Sequence, residues 1–199
     1  MTDTLTTGEA NNTTAIGPGR LVLVVGPSGA GKDTLLGFAK AACADDSNIV
    51  FPRRVITRAA SASEENEEVS PGTFQEALAR GEYAVHWEAH GHCYALSREI
   101  DDDIRAGRTV VANVSRTVIG AMRGNYADVV VVSITAPAEV LAQRIAMRAR
   151  SSDGRLEGRL HRTVEDTAAA PDVTIVNTGS AEYHARQLVR AIKGEKWDD

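Results

Sequence analysis

The sequence has few cysteines and no long apolar segment. Two cysteines among 199 residues, Cys43 and Cys93, are too few for a disulfide framework or a four-cysteine zinc site. No apolar run approaches the roughly 18 residues that a membrane span needs. The first 19 residues have neither a basic start nor an apolar stretch, so they do not predict a secretory signal. We therefore expect a globular protein in a reducing, cytoplasmic setting, with no membrane partner.

Basic residues are also in the minority. Lysine and arginine number 22 against 27 aspartates and glutamates, which gives a formal net charge of −5. An acidic balance argues against a protein whose main task is to hold nucleic-acid backbone. We expect a small-molecule partner instead, and the sequence leaves open whether the chain is a monomer or a homodimer.

The chain is organised as alternating strands and helices. Residues 1–18 are rich in Thr, Asn and Gly and predict a disordered tail, so one domain is expected over 19–199 and ordered from near Arg20. Short runs of β-branched residues predict buried parallel strands, and amphipathic patterns between them predict helices. The predicted strands are 21–25, 48–56, 109–114, 128–134 and 172–176, and the predicted helices are 33–44, 98–106, 137–149 and 180–192. This alternation predicts an α/β fold with a parallel sheet flanked by helices.

The segment over about residues 57–97 interrupts this alternation. It is polar and contains no long apolar strand. Such a stretch is expected of an acceptor-binding insertion, and equally of a long surface loop.

The strongest motif is GPSGAGKD, which lies between the first predicted strand and the first helix. It matches the phosphate-binding pattern GxxxxGK in the strand–loop–helix context that the pattern requires. The glycines allow successive backbone N–H groups to point at one anion, and the lysine reaches the terminal phosphates. The residues predicted to bind a nucleotide are Gly26, Pro27, Ser28, Gly29, Ala30, Gly31, Lys32, Asp33 and Thr34.

Asp33 stands where a serine or threonine hydroxyl usually binds Mg²⁺. A carboxylate is a good hard ligand for that ion, so we predict that Asp33 helps to hold the metal. The alternative is that Asp33 only favours the N-terminus of the helix.

Arginines are concentrated further along, in LAQRIAMRARSSDGRLEGRLHR. Arg144 and Arg148 lie four residues apart and share a helix face. A lid over about residues 148–158 would bring cations to a migrating phosphoryl group, with Arg144, Arg148 and Arg150 in catalytic roles and Arg159 near the substrate. A solvated charged face is the alternative.

Three other features carry weaker signals. Arg58 ends the VITR stretch after a predicted strand, where a side chain faces the crevice of an open sheet, so we predict that it binds an acceptor phosphate rather than lying on the surface. The histidines around Cys93 lack the usual spacing of zinc ligands, and we expect one of them to touch substrate. Residues 101–103 are three consecutive aspartates, which predict a solvated face.

Together these motifs resemble those of the guanylate-kinase-like branch of the P-loop nucleoside monophosphate kinases. The resemblance covers nearly the whole predicted domain, but the residues that read guanine in that branch are missing; His86, for example, replaces a glutamate. At the positions where it differs from guanylate kinases, the sequence resembles ribose 1,5-bisphosphate phosphokinases more closely. These shared motifs are GPSGAGKD, ITR followed by AS, Glu65-Asn66, WxAxGxxY ending at Tyr94, NxSR over Asn113, Ser115 and Arg116, and VNTGS.

The resemblance implies a nucleoside-monophosphate-kinase-like fold that uses ATP and Mg²⁺. It implies transfer of the ATP γ-phosphoryl group to ribose 1,5-bisphosphate, giving 5-phosphoribosyl 1-diphosphate and ADP in phosphonate catabolism. Substrate contacts are then expected from Arg58, Glu65, Asn66, Tyr94, Asn113, Ser115, Arg116 and Arg159. The alternatives are guanylate kinase, another small-molecule kinase and a non-catalytic interaction module, the last disfavoured by an intact phosphate loop.

Overall fold

A computed structural model describes residues 14–58, 65–151 and 170–195, and backbone alone over 148–151. The strands are β1 Ile16–Val25, β2 Ile49–Val50, β3 Arg54–Ile56, β4 Asn66–Glu68, β5 Tyr83–Ala89, β6 His92–Ser97, β7 Thr109–Asn113, β8 Tyr126–Thr135 and β9 Val173–Val176. The helices are α1 Lys32–Ala42, α2 Pro71–Ala79, α3 Glu99–Arg105, α4 Ile119–Asn125, α5 Ala138–Ser151 and α6 Ala181–Lys193. None of these helices is both long and apolar enough to cross a membrane.

A five-stranded parallel sheet forms the centre of the molecule, in the order β2-β7-β1-β8-β9. Its middle strand, β1, is covered on both faces, and residues 21–25 are at most 1% exposed. Successive side chains of a strand point to opposite faces. Leu21 and Leu23 accordingly join one core cluster, while Val22 and Val24 join the other. The predicted α/β architecture, with a parallel sheet between helices, is confirmed.

The predicted strand over 48–56 is wrong, because this stretch contains two short strands in different sheets. β2 pairs with β7 of the central sheet, whereas β3 pairs with β4 and β6. Pro52 lies between them, and proline has no N–H to donate to a ladder. The chain therefore leaves the first sheet and enters the second.

A four-stranded sheet, in the order β4-β3-β6-β5, takes three of its strands from the segment that interrupts the predicted alternation. Its described part is not a surface loop. The sequence of this sheet contains no continuous apolar run because its strands are short and partly exposed, as in β5. Its inner residues Ile56, Trp87, Tyr94 and Leu96 join the same core cluster as Leu21 and Leu23, so the two sheets share one core.

The ordered part of the chain begins earlier than near Arg20. Ile16 pairs with Tyr126 of β8 and packs against the core, so residues 16–18 belong to the domain rather than to a disordered tail. The apolar contact of Ile16 stabilises this start despite the glycines that follow. Residues 1–13 lie outside the described part of the chain, and for them the tail stays a prediction.

The prediction of a solvated face for the aspartate run 101–103 of α3 is wrong for Asp101. Asp101 is 2% exposed, and the Tyr126 hydroxyl donates to its carboxylate over 2.5 Å. Arg98 lies 3.4 Å from the same carboxylate. Burial, followed by the hydrogen bond to Asp101, raises the pKa of Tyr126 well above its ordinary value. Asp101 thus joins α3 to the central sheet.

Candidate active site

A cavity of about 920 Å³ lies at the carboxyl ends of the parallel strands and is lined by residues from both sheets. Open α/β sheets bind ligands at this edge. The structure brings twelve of the predicted site residues to this cavity. They are Gly26, Ser28, Gly29, Gly31, Lys32, Asp33, Thr34, Arg58, Tyr94, Asn113, Ser115 and Arg144.

The phosphate loop connects β1 directly to α1, as predicted. Gly26 has φ 147°, and a side chain there would collide with the carbonyl oxygen of Ile134. Gly31 has φ 89° and forms the N-cap of α1. Both positions require glycine because left-handed backbone and close approach are costly for other residues. Pro27 and Ala30 shape the loop without lining the cavity, and the Ala30 N–H donates to the Pro27 carbonyl at 3.3 Å.

The ammonium of Lys32 lies over the phosphate loop. Its Nζ donates to the carbonyl oxygens of Gly26 at 2.8 Å and Pro27 at 3.0 Å. These bonds hold the cation beside the N-terminus of α1, where the helix dipole adds partial positive charge. An anion in the loop would meet both.

Asp33, in the first turn of α1, is held toward the neighbouring strand. The Asn113 side-chain amide at the end of β7 donates to Asp33 Oδ1 at 3.1 Å. This contact presents a carboxylate oxygen in the cavity next to the loop, and a carboxylate is a suitable ligand for a hard cation. The same position is favourable at a helix N-terminus without any metal, so both interpretations of Asp33 stay open.

Arg144 and Asn177 support the phosphate loop through hydrogen bonds to its carbonyl oxygens. The guanidinium of Arg144, on α5, donates to the Gly29 carbonyl at 3.4 Å and to the Asn177 carbonyl at 3.1 Å. The Asn177 amide donates to the Ala30 carbonyl at 2.8 Å, and the residue is 4% exposed. A side chain at Gly31 would collide with that amide.

Sequence reasoning did not assign a role to Asn177. It lies in the VNTGS stretch after β9, more than 140 residues from the loop that it contacts. The signal was its position: it directly follows the carboxyl end of an outer parallel strand, at the edge where the sites of such sheets lie.

The acceptor side of the cavity is lined by side chains of the smaller sheet. Trp87 and Tyr94 stack with ring centroids 5.6 Å apart and planes 5° from parallel. The guanidinium carbon of Arg54 lies 5.8 Å from the centre of the Tyr94 ring. His90 and His92 also line the cavity, near the turn that joins β5 to β6. Arg54 and Trp87 were not among the predicted site residues. Arg54 precedes Arg58 by four residues, however, and this spacing places both on the same face of an extended strand.

Two predicted residues lie next to the cavity rather than in it. Glu65 and Asn66 line an adjoining recess of about 160 Å³, which shares Asp33, Arg54 and Asn113 with the main cavity. Glu65 is ion-paired with Lys40, whose hydrogen bond lowers the pKa of Glu65. The Asn66 side-chain oxygen accepts from Arg54 Nε at 3.3 Å.

Four predicted residues remain, Arg116, Arg148, Arg150 and Arg159, and the structure describes a side chain for Arg116 alone. Arg116 begins a short 3₁₀ turn, capped by Ser115, and does not line the cavity. Arg148 and Arg150 lie in α5, where the backbone alone is described, and Arg159 lies outside the described residues. Their lid role stays a prediction.

Comparisons with known proteins identify close relatives. No family model matches the chain. Its sequence is 65% identical over 194 residues to the ribose 1,5-bisphosphate phosphokinase PhnN of Bradyrhizobium diazoefficiens, covering 98% of this chain and 96% of the relative. It is 63% identical over 181 residues to the protein of the same name from Rhodopseudomonas palustris, covering 91% of this chain and 92% of the relative.

Among solved structures, guanylate kinase from Anaplasma phagocytophilum has a similar fold. The TM-score is 0.61 at 23% identity, over 90% of this chain and 86% of that one. Together with the parallel sheet and the phosphate loop, this similarity establishes a P-loop NTPase fold like that of guanylate kinase. The sequence relatives, matched over almost their full length, define the family more narrowly: this chain belongs to the ribose 1,5-bisphosphate phosphokinases and is a kinase.

Proposed function

We propose that this protein transfers the γ-phosphoryl group of ATP to the 1-phosphate of ribose 1,5-bisphosphate, with 5-phosphoribosyl 1-diphosphate and ADP as products, in bacterial phosphonate catabolism. The observation that carries the proposal is one cavity that holds both a complete phosphate loop and the acceptor-side Arg58, in a chain of this family. The nucleotide and the sugar bisphosphate would meet there end to end.

The loop side is suited to the phosphates of ATP. Backbone N–H groups around Gly29 and Gly31, the N-terminus of α1 and the Lys32 ammonium all favour anions. Lys32 is the side chain best placed to neutralise charge that develops on the transferred group. Arg144 adds a second cation at the loop, and Arg148 and Arg150 are expected to add more from the lid.

The acceptor needs no general base, because its 1-phosphate already carries nucleophilic oxygens. One of these oxygens attacks the γ-phosphorus, and the bond from that phosphorus to the β–γ bridging oxygen breaks as ADP leaves. Catalysis then consists of alignment and charge stabilisation. Arg58 is proposed to align the 1-phosphate, and Asn113 and Ser115 to contact ribose hydroxyls.

The donor set fits a magnesium ion at the loop. Asp33 would hold it, directly or through water, while the Asn113 amide fixes the carboxylate. When bound, Mg²⁺ would supply positive charge that offsets the negative charge of the ATP phosphates. Replacing Asp33 with Asn should raise the Mg²⁺ concentration needed for half-maximal nucleotide binding.

The test is an ADP-release assay with ATP and Mg²⁺, offering ribose 1,5-bisphosphate and GMP in parallel, with products identified by mass spectrometry. Turnover with the sugar bisphosphate, giving 5-phosphoribosyl 1-diphosphate, is expected. Turnover with GMP alone would replace the proposal with guanylate kinase activity. No turnover with either acceptor would contradict the assignment of the acceptor, whereas the assignments of the family and the fold would stand.

We infer in addition that the protein acts in the cytoplasm on free small molecules. A monomer and a homodimer remain alternatives. Light scattering after gel filtration separates them by mass, since one chain has a mass of 21.2 kDa.

A further inference from the structure

Arg54 lines the cavity, although the reaction described above assigns it no role. It is the first residue of β3, and Arg58 follows four residues later at the same cavity. Arg54 and Arg58 thus bring two guanidinium groups to the same cavity as the phosphate loop. A substrate that carries two phosphates offers a separate anion to each of them.

Strand register places Arg54 in a row of side chains on one face of the smaller sheet. Across the sheet, Ile56 of β3 faces Tyr94 of β6, and Tyr94 faces Trp87 of β5. Arg54 precedes Ile56 by two residues and therefore shares this face. Because β6 lies between β3 and β5, the Tyr94 ring is flanked by Trp87 on one side and by Arg54 on the other.

This row leaves the Tyr94 ring without an open aromatic face. Trp87 stacks on it with nearly parallel planes, and the Arg54 guanidinium lies on the side toward β3. A nucleobase would need such a face for stacking. Beside Tyr94, the cavity therefore presents a cation where a planar base would need a ring.

The Arg54 guanidinium is also held in position. Its Nε donates to Asn66 Oδ1 at 3.3 Å, and its cation lies above the Tyr94 ring. Holding the planar fork through Nε orients the terminal nitrogens as a unit. A fork held in this way is suited to phosphate, which it can bind through two parallel hydrogen bonds.

We propose that Arg54 binds the second phosphate of the acceptor, the 5-phosphate of ribose 1,5-bisphosphate, and so selects a sugar bisphosphate over a nucleotide. This inference rests on the proposed function. In the proposed complex, Arg58 binds the reacting 1-phosphate and Arg54 binds the 5-phosphate. Asn66 acts as a positioning residue for Arg54 rather than as the substrate contact that the sequence predicts.

The test crosses a substitution with the removal of one phosphate from the acceptor. Arg54→Gln and wild type are assayed with radiolabelled ATP, using ribose 1,5-bisphosphate and ribose 1-phosphate, which lacks the 5-phosphate. The variant should raise KM for the bisphosphate about 10- to 100-fold with little change in kcat, because one charge-assisted contact is lost. Its kcat/KM with ribose 1-phosphate should equal that of wild type.

Two further variants sharpen the result. Arg54→Lys keeps the charge without the fork and should give an intermediate KM. Arg105→Gln removes an exposed arginine from α3 that pairs with Asp102 and should behave as wild type. Calorimetric titration of each acceptor in the presence of ADP gives the same comparison without turnover.

Equal losses with both acceptors would overturn the inference, because they would mean that Arg54 only supports the Tyr94 ring. Loss confined to the bisphosphate would support it. Failure of wild type to bind or phosphorylate either sugar would contradict the proposed function, and this inference with it. That outcome is distinct from normal wild-type turnover combined with an unaltered Arg54→Gln variant, which would overturn the inference alone.

Discussion

The two halves of the cavity are built in different ways. The nucleotide half is one continuous loop, Gly26 to Lys32, whose shape is set by glycine backbone and by bonds to carbonyl oxygens from Lys32, Arg144 and Asn177. The acceptor half consists of side chains from separate strands that meet only in the folded protein. The first half offers mainly backbone groups to its ligand, and the second offers guanidinium groups and rings.

This difference indicates how each half tolerates change. A loop that binds with N–H groups depends on backbone conformation, so its glycines cannot be exchanged without strain. A pocket made of side chains can take a new acceptor when a few residues change on a fixed sheet. The following substitutions test this contrast, in order of decreasing effect on activity.

Lys32→Met should have the largest effect. It removes the cation held at the phosphate loop, to which we assign charge stabilisation of the transferred group, and we expect kcat to fall by about 10³-fold or more. The ADP-release assay measures this, with circular dichroism to verify folding. Lys193→Met, at the exposed end of α6, is the matched control and should retain full activity. Substantial turnover by Lys32→Met would mean that the Lys32 ammonium is not needed to stabilise the transition state.

Arg58→Ala should affect the acceptor half alone. Loss of a charge-assisted contact should raise KM for the acceptor by about 30- to 100-fold, while the affinity for ATP changes by less than about threefold. Steady-state kinetics with each substrate varied in turn measure both values. Equal losses for ATP and acceptor would remove Arg58 from the acceptor site.

Asn177→Ala should affect the nucleotide half alone, and more weakly. It removes the hydrogen bond to the Ala30 carbonyl, and we expect nucleotide affinity to fall about tenfold, which corresponds to roughly 1.4 kcal/mol. Calorimetry with ADP measures the affinity, and Asn125→Ala, at the exposed end of α4, serves as the control. An unaltered affinity for ADP would show that the loop keeps its shape without this support.

Tyr126→Phe should leave activity unchanged and lower stability. The hydroxyl donates to the buried Asp101, and its removal should reduce the free energy of unfolding by about 2 kcal/mol at pH 7. Urea denaturation measures the difference, and Tyr183→Phe, on an exposed side chain, is the control. A loss of activity without a loss of stability would contradict a structural role.

The same pair carries a pH dependence with a definite sign. The pKa of Tyr126 is raised in the folded state, mainly by burial, so its contribution to stability is complete below the ordinary tyrosine pKa of about 10. Above that pH the unfolded tyrosine ionises while the folded one stays neutral, and the contribution declines. The stability difference between wild type and Tyr126→Phe should therefore shrink when measured at about pH 10.5 rather than pH 7.

The nucleotide half was predictable from sequence because its determinants are contiguous. Seven residues between an apolar strand and a helix specify the loop, and the structure places them as predicted. The central sheet was predictable because strands buried on both faces are continuous apolar runs. The smaller sheet was not, because partly exposed strands of three to seven residues lack that signature.

Other features depend on contacts between distant parts of the chain. Asp101 is buried because Tyr126, 25 residues away, supplies a hydrogen bond, and nothing in the aspartate run indicates which of the three points inward. Arg54 and Asn177 reach the cavity through strand register and sheet order. These are properties of the folded arrangement, which local sequence patterns do not contain.

The smaller sheet enters and leaves the central fold through two short connections, residues 51–53 between β2 and β3 and Arg98 between β6 and α3. The hydrogen-bond ladder of the five parallel strands is complete without it. Substitutions on β3 and β5 that share no partner with the phosphate loop should have additive free-energy effects with substitutions in that loop. For a protein engineer, a side chain of this sheet that lines the cavity without joining the shared core, such as Arg54, is therefore the place to change the acceptor side while the phosphate loop is kept.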